Sequence, residues 1–197
     1  MRTIGVTGGI AGGKTSVTQI LEERWPVLDA DLVSREVVAP GQEGLSLIVE
    51  AFGDEVLSED GTLNRAALRH IIAHSKEAQQ RLNAILHPLI VNTIKQRLVA
   101  LAEAGHKLAF VSAALMIESG SYKNYDDLIL VTAPAPMRLR RLLKRDGMTE
   151  EAARNLMDKQ MNEDQKRVYA SAIIINDGNL EVLRKRTERV LDQLNLV

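Results

Sequence analysis

Residues 3–21 read Thr-Ile-Gly-Val-Thr-Gly-Gly-Ile-Ala-Gly-Gly-Lys-Thr-Ser-Val-Thr-Gln-Ile-Leu, and this stretch decides the fold. Gly8 to Thr15 fits the spacing G-x-x-x-x-G-K-[ST] at every specified position. Glycines at these places let the backbone curl so that its N–H groups converge on an anion. Lys14 brings a charge to the outer phosphates of a nucleotide, and Thr15 brings a hydroxyl suited to Mg²⁺. A helix opening near Gly13 aims its positive end at the same anion. A chance glycine-rich turn would lack the flanking elements found here. An apolar strand, Thr3 to Thr7, enters the loop, and Val17, Ile20 and Leu21 follow at helical spacing. The expected ATP contacts are therefore Gly9, Ile10, Ala11, Gly12, Gly13, Lys14, Thr15 and Ser16, with Thr15 as the metal ligand.

Outward from the loop, short apolar runs alternate with helical patterns, the mark of a parallel sheet covered on both faces. Strands are expected at Thr3 to Thr7, Val27 to Asp29, Leu108 to Ala113, Leu128 to Thr132 and Ala172 to Ile175. The fold class is α/β of the P-loop NTPase type: a five-stranded, mostly parallel sheet flanked by helices, with a helical substrate-binding insert and a helical lid. The single kinase-like domain divides into a core of about 1–35, 106–136 and 170–197, an insert of about 36–105 and a lid of about 137–169. In the insert, Asn64 is placed to cap a helix through Leu68, Ile71 and Ile72. Pro88 suits the first position of a long helix that Gly105 ends. In the lid, Arg145-Asp146-Gly147 reads as a turn, and Thr149 before Glu150 and Glu151 reads as a new helix start.

Composition removes several function classes. The formal net charge of -1 offers no overall attraction for nucleic acid. The chain has no cysteine, hence no disulfide, thiolate metal site or cysteine nucleophile. The apolar run from Leu108 to Ile117 is too short to span a bilayer. The glycines and Lys14 interrupt any secretory signal, so the expected address is cytoplasmic, with no membrane partner and a monomer or small homo-oligomer.

Asp29-Ala30-Asp31 follows a strand end, the edge where open α/β sheets bind ligands. Asp31 is the candidate to orient an acceptor hydroxyl and take its proton; the plain reading is a helix cap with Arg35 one turn on. Arg138, Arg141 and Arg145 share one helix face. They read either as a solvated basic face or as a lid closing on the phosphates, with Arg141 acting in catalysis beside Lys14. His87 precedes Pro88, where a lone histidine is more often structural than functional. Ala11 in the loop fits a backbone of negative φ. A kinase for another small acceptor, such as a nucleoside monophosphate, and a non-catalytic nucleotide-binding regulator are the competing readings.

Together these motifs resemble the dephospho-CoA kinase family over most of the chain. The family's T-G-G-I-G-S-G-K-S is similar to Thr7 to Thr15, and its D-A-D, Arg and P-G to Asp29-Ala30-Asp31, Arg35 and Pro40-Gly41. Its D-G-x-L-x-R matches Asp60, Gly61, Leu63 and Arg65, and its H-P segment matches Leu82 to Pro88. The lid resembles Arg141 and Arg145 with Gln160 downstream, and A-D-x-x-I-x-N resembles Ala170 to Asn176. Departures fall at Ala11 and Gly12 in place of Gly and Ser, at Ala114, Met116 and Ile117 in the P-L-L-F-E segment, which keeps Leu115 and Glu118, at Arg138 in place of a Gln, at Ser171 in place of an acid, and at the end of the third strand, which lacks an Asp. The resemblance implies transfer of the γ-phosphoryl of ATP, with Mg²⁺, to the ribose 3′-hydroxyl of dephospho-CoA. It implies acceptor contacts at Asp31, Arg35, Arg65, His87 and Glu118, phosphate contacts at Arg141 and Arg145, and Asn176 near the adenine.

Overall fold

The computed structural model describes residues 1–196, which form two compact units along the chain, Met1–Asp29 with Leu101–Val197 and Ala30–Ala100. The first unit holds a five-stranded sheet of β1 (Arg2–Gly8), β2 (Val27–Asp29), β3 (Leu108–Ser112), β4 (Asp127–Thr132) and β5 (Ala172–Ile175). Their order across the sheet is β2-β3-β1-β4-β5, and every pairing is parallel. The expectation of a mostly parallel sheet is met in full, with strand ends within about one residue of the sequence reading.

Helix α1 (Lys14–Glu22) follows the phosphate loop. It packs Val17, Ile20 and Leu21 on one sheet face with Ile4, Val6, Phe110, Ile129, Val131 and Ile174. Helix α9 (Leu180–Gln193) completes that layer with Leu183, Val190 and Leu191. On the other face a Cβ on Gly5 would lie 2.6 Å from Met116 Sδ, 3.0 Å from Leu128 Cδ1 and 3.1 Å from Tyr125 Cδ2, so a larger residue would force these side chains to move. Burial pushes the Tyr125 phenol up to about 12.

The second unit holds α2 (Ala30–Glu36), α3 (Glu43–Phe52), α4 (Arg65–His74) and most of α5 (Lys76–Glu103). The Asn64 side chain accepts from Ala67 N at 3.0 Å, the cap expected for α4. Asp60 accepts from both the N–H and the hydroxyl of Thr62, and Gly61 turns at φ +76, which closes a tight bend pairing Leu57 with Leu63. The Thr62 hydroxyl holds the Asp60 carboxyl below the usual carboxylate range.

Pro88 does not begin a helix; it lies inside α5. The run Lys76 to Leu86 is built of good helix formers, and Ser75 accepts from Ala78 N to cap it. Pro88 supplies no N–H to the carbonyl of Ala84, and both residues are exposed, where a missing helix bond costs less than in a core. The expected lid segment forms α6 (Ala135–Asp146), α7 (Glu150–Asp158) and α8 (Glu163–Arg167), all within the first unit. Thr149 caps α7 as expected, and Gly147 ends α6 at φ +62.

Candidate functional site

The phosphate loop leaves β1, the central strand, and turns into α1 through Gly13 at φ +100. Four of its glycines are required by close approach. A Cβ on Gly8 would lie 2.3 Å from the Val131 carbonyl, on Gly12 2.9 Å from the Gly9 carbonyl, and on Gly13 1.7 Å from Asn176 Nδ2. On Gly9 it would lie 2.5 Å from Glu163 Oε1. The N–H groups of Lys14 and Thr15 sit in the first turn of α1, where no intrahelical carbonyl reaches them. They are placed to meet an anion, and the helix dipole favours one.

Lys14 Nζ donates to Ser112 Oγ at 2.5 Å, so the ammonium crosses from the loop to the end of β3. Ser112 is buried at the end of β3. Among the described residues no group of three or more His, Cys, Asp or Glu is placed to hold a metal. Thr15 is exposed in the first turn of α1, with a hydroxyl of the kind that can join a Mg²⁺ carried by nucleotide phosphates.

The three arginines of α6 have three different environments. Arg145 is exposed and paired in parallel hydrogen bonds with its neighbour Asp146, which raises the guanidinium's pKa and lowers the carboxyl's. Arg141 Nη2 donates to the Asn176 carbonyl at 3.0 Å and reaches Asn176 Oδ1 at 3.4 Å, while Nη1 is 3.5 Å from the Ala11 carbonyl. Asn176 Nδ2 in turn donates to the Gly12 carbonyl at 3.2 Å. Arg138 is buried: Nε donates to the Ile10 carbonyl at 3.0 Å, and Nη1 pairs with Glu163 Oε1 at 2.6 Å. One shared helix face does not make one shared role, because Arg138 is committed to the loop backbone and Glu163. Gln160 accepts from Ile10 N at 2.7 Å.

Ala11 has φ +58, which corrects the expectation of a negative φ. A left-handed conformation at a residue with a Cβ carries strain, and its neighbours hold it there. Ser171 accepts from Leu128 N with its hydroxyl. It precedes β5 at the N-terminal edge of the parallel sheet, whereas the loop lies at the C-terminal edge, so this departure does not touch the nucleotide site.

Glu118, expected on the acceptor side, lies 2.9 Å from Nζ of the fully buried Lys166, at an angle that makes no hydrogen bond. Lys166 carried no signal in the sequence reading. The one available was Asn162 followed by Gln165, a capping box that starts α8 and fixes Lys166 inside it. Asp31, Arg35, Arg65 and His87 all lie in the second unit. Asp31 and Arg35 are one turn apart on α2, Arg65 opens α4, and His87 is exposed in mid-α5. Beside the loop lies a hollow of about 260 Å³ lined by Gly13, Ser16, Arg141, Asn176, Gly178 and Leu180.

Residues 2–181 match the model of the dephospho-CoA kinase family. The chain belongs to the dephospho-CoA kinase family. It is 38% identical over 186 residues to the dephospho-CoA kinase of Listeria innocua, covering 94% of this chain and 93% of that one. Among solved structures it is similar to the dephospho-CoA kinase of Campylobacter jejuni, with TM-score 0.73 and 26% identity over 98% of both chains. A Thermus thermophilus structure matches with TM-score 0.85 and 29% identity over 98% of this chain and 97% of that one. Membership of this family makes the chain a phosphotransferase.

Proposed function

We propose that this chain moves the γ-phosphoryl of ATP to the ribose 3′-hydroxyl of dephospho-CoA, giving CoA and ADP. The observation that carries the reading is the phosphate loop with Lys14 anchored at the end of β3, in a chain of this family. The loop's first-turn N–H groups and Lys14 bind the phosphates, and Arg141 neutralises charge that spreads over the transferring group. Thr15 would hold Mg²⁺, which supplies further neutralisation of the phosphate oxygens. Asn176 and the hollow beside it take the adenine end, and Arg145 turns from Asp146 to the outer phosphates.

On the acceptor side, Asp31 orients the 3′-hydroxyl and accepts its proton as the oxygen attacks phosphorus. Arg35, Arg65 and His87 hold the anionic parts of the acceptor. Glu118 is a weaker acceptor contact than the family resemblance implies, because its carboxylate already answers Lys166.

The test is ADP release with ATP and Mg²⁺, with and without dephospho-CoA, and with AMP as a control acceptor. Release that requires dephospho-CoA and is lost in Lys14→Ala and Asp31→Asn is expected. Release with AMP alone would keep the kinase and discard the acceptor.

A further inference from the structure

Two features of the loop stand outside the reaction as derived. Ala11 holds φ +58 without being glycine, and the buried Arg138 spends its Nε on the Ile10 carbonyl. They are adjacent. The Ile10 carbonyl belongs to the peptide plane that precedes Ala11, and the Ala11 carbonyl belongs to the plane that follows it. The first plane is held by Arg138 and the second is within reach of Arg141. Orienting both planes fixes the two dihedrals of the residue between them. The remaining Ile10 group, its N–H, is held by Gln160. Gly9 lets the Arg138–Glu163 pair approach, since a Cβ there would collide with both side chains.

We propose that Arg138 is a positioning residue for the phosphate loop: by holding the Ile10 carbonyl it keeps Ala11 left-handed and the loop shaped for phosphate before nucleotide arrives. Without that hold, the strain at Ala11 relaxes and part of the binding free energy goes into reshaping the loop. Glycine at residue 11 would need no such hold, because it takes positive φ freely. The pairing therefore has a chemical signature that a purely structural arginine lacks. The proposal rests on the reading of the loop as a nucleotide site and is independent of the acceptor.

Side-chain length supplies the controls. The amide nitrogen of a glutamine stands the same number of bonds from Cα as Arg138 Nε, so Arg138→Gln keeps a donor at that place and Arg138→Met does not. Glu163→Gln accompanies each, so that no carboxylate is left buried and unpaired. The measurement is the dissociation constant of ADP by calorimetry, with melting temperature recorded for each protein. The Arg138→Met pair is expected to bind about tenfold more weakly than the parent, the scale of a left-handed penalty. The Arg138→Gln pair is expected to stay within about threefold, and Ala11→Gly added to the Arg138→Met pair is expected to restore binding to about that range.

If the Arg138→Met pair does not fold, Arg138→Lys replaces it. It keeps a charge for Glu163 and puts a methylene where Nε stood, with the same weakening and the same restoration by Ala11→Gly expected. Parent-like affinity without the donor overturns the proposal. So does a weakened variant that Ala11→Gly leaves unimproved, the outcome for an arginine that only stabilises the fold. A parent that does not bind ADP would remove the nucleotide reading itself.

Discussion

Lys14 Nζ and Ser112 Oγ are joined by a hydrogen bond of 2.5 Å that ties the phosphate loop to the strand beside it. The ammonium is held at the place where outer phosphates are expected, so little side-chain freedom remains to be lost on binding. Lys14→Ala should lower kcat/KM for ATP about a hundredfold to a thousandfold, the scale for one donor to a transferring group. Ser112→Ala leaves the ammonium in place without its anchor. It should raise the KM for ATP with little change in kcat, as coupled ADP-release kinetics will show. An unchanged KM would mean that Ser112 does not position the lysine.

Gly13 and Asn176 tolerate no atom between them. Gly13→Ala would add a Cβ 1.7 Å from Asn176 Nδ2 on a backbone at φ +100. The backbone alone costs about 1–2 kcal/mol, and the collision displaces the side chain that holds the Gly12 carbonyl. Nucleotide binding should fall below detection in calorimetry while the parallel sheet persists by circular dichroism. Retained binding would argue against the role given to Asn176.

Lys166 buries a charge whose only ionic partner among the described residues is Glu118. Removing one member of such a pair leaves the other uncompensated. Glu118 keeps 23% of its side-chain exposure, so the loss for Lys166→Ala should be near the low end, about 3 kcal/mol, or about 6–12 °C in melting temperature. Lys166→Met combined with Glu118→Gln should recover most of it. If the pair served acceptor binding alone, the melting temperature would not move.

Tyr125 gives the fold an alkaline limit. Its phenol ionises near 10 when unfolded and at about 12 when folded. A raised pKa means that this contribution to stability is complete below pH about 10 and is lost as pH rises toward about 12. Urea midpoints measured across that window should decline less steeply for Tyr125→Phe than for the parent protein. Parallel declines would place the alkaline sensitivity elsewhere.

What could be read from sequence was whatever depends on neighbours along the chain. The loop's spacing, the strands either side of it and the caps at Asn64 and Thr149 are of this kind. Pro88 misled because a proline at a helix start and one inside a helix look alike until the exposure of Ala84 is known. The fates of the α6 arginines were hidden for another reason. Arg138, Arg141 and Arg145 share a face, yet Arg138 meets Ile10 and Glu163 and Arg141 meets Asn176, all distant in sequence, while Arg145 meets only its neighbour Asp146. Lys166 was missed because composition marks lysine as a surface residue, and only its place in a capped turn against β4 buries it.

The loop springs from β1, which has a neighbouring strand on each side and residues buried to the last turn before Gly9. The part of the molecule that handles phosphate is thus rooted in the centre of the buried sheet. Local fraying at the chain's edges has no route to it short of parting the sheet. Heat should therefore remove nucleotide binding in a single cooperative step, with the loss of ADP binding tracing the same curve as the loss of the sheet.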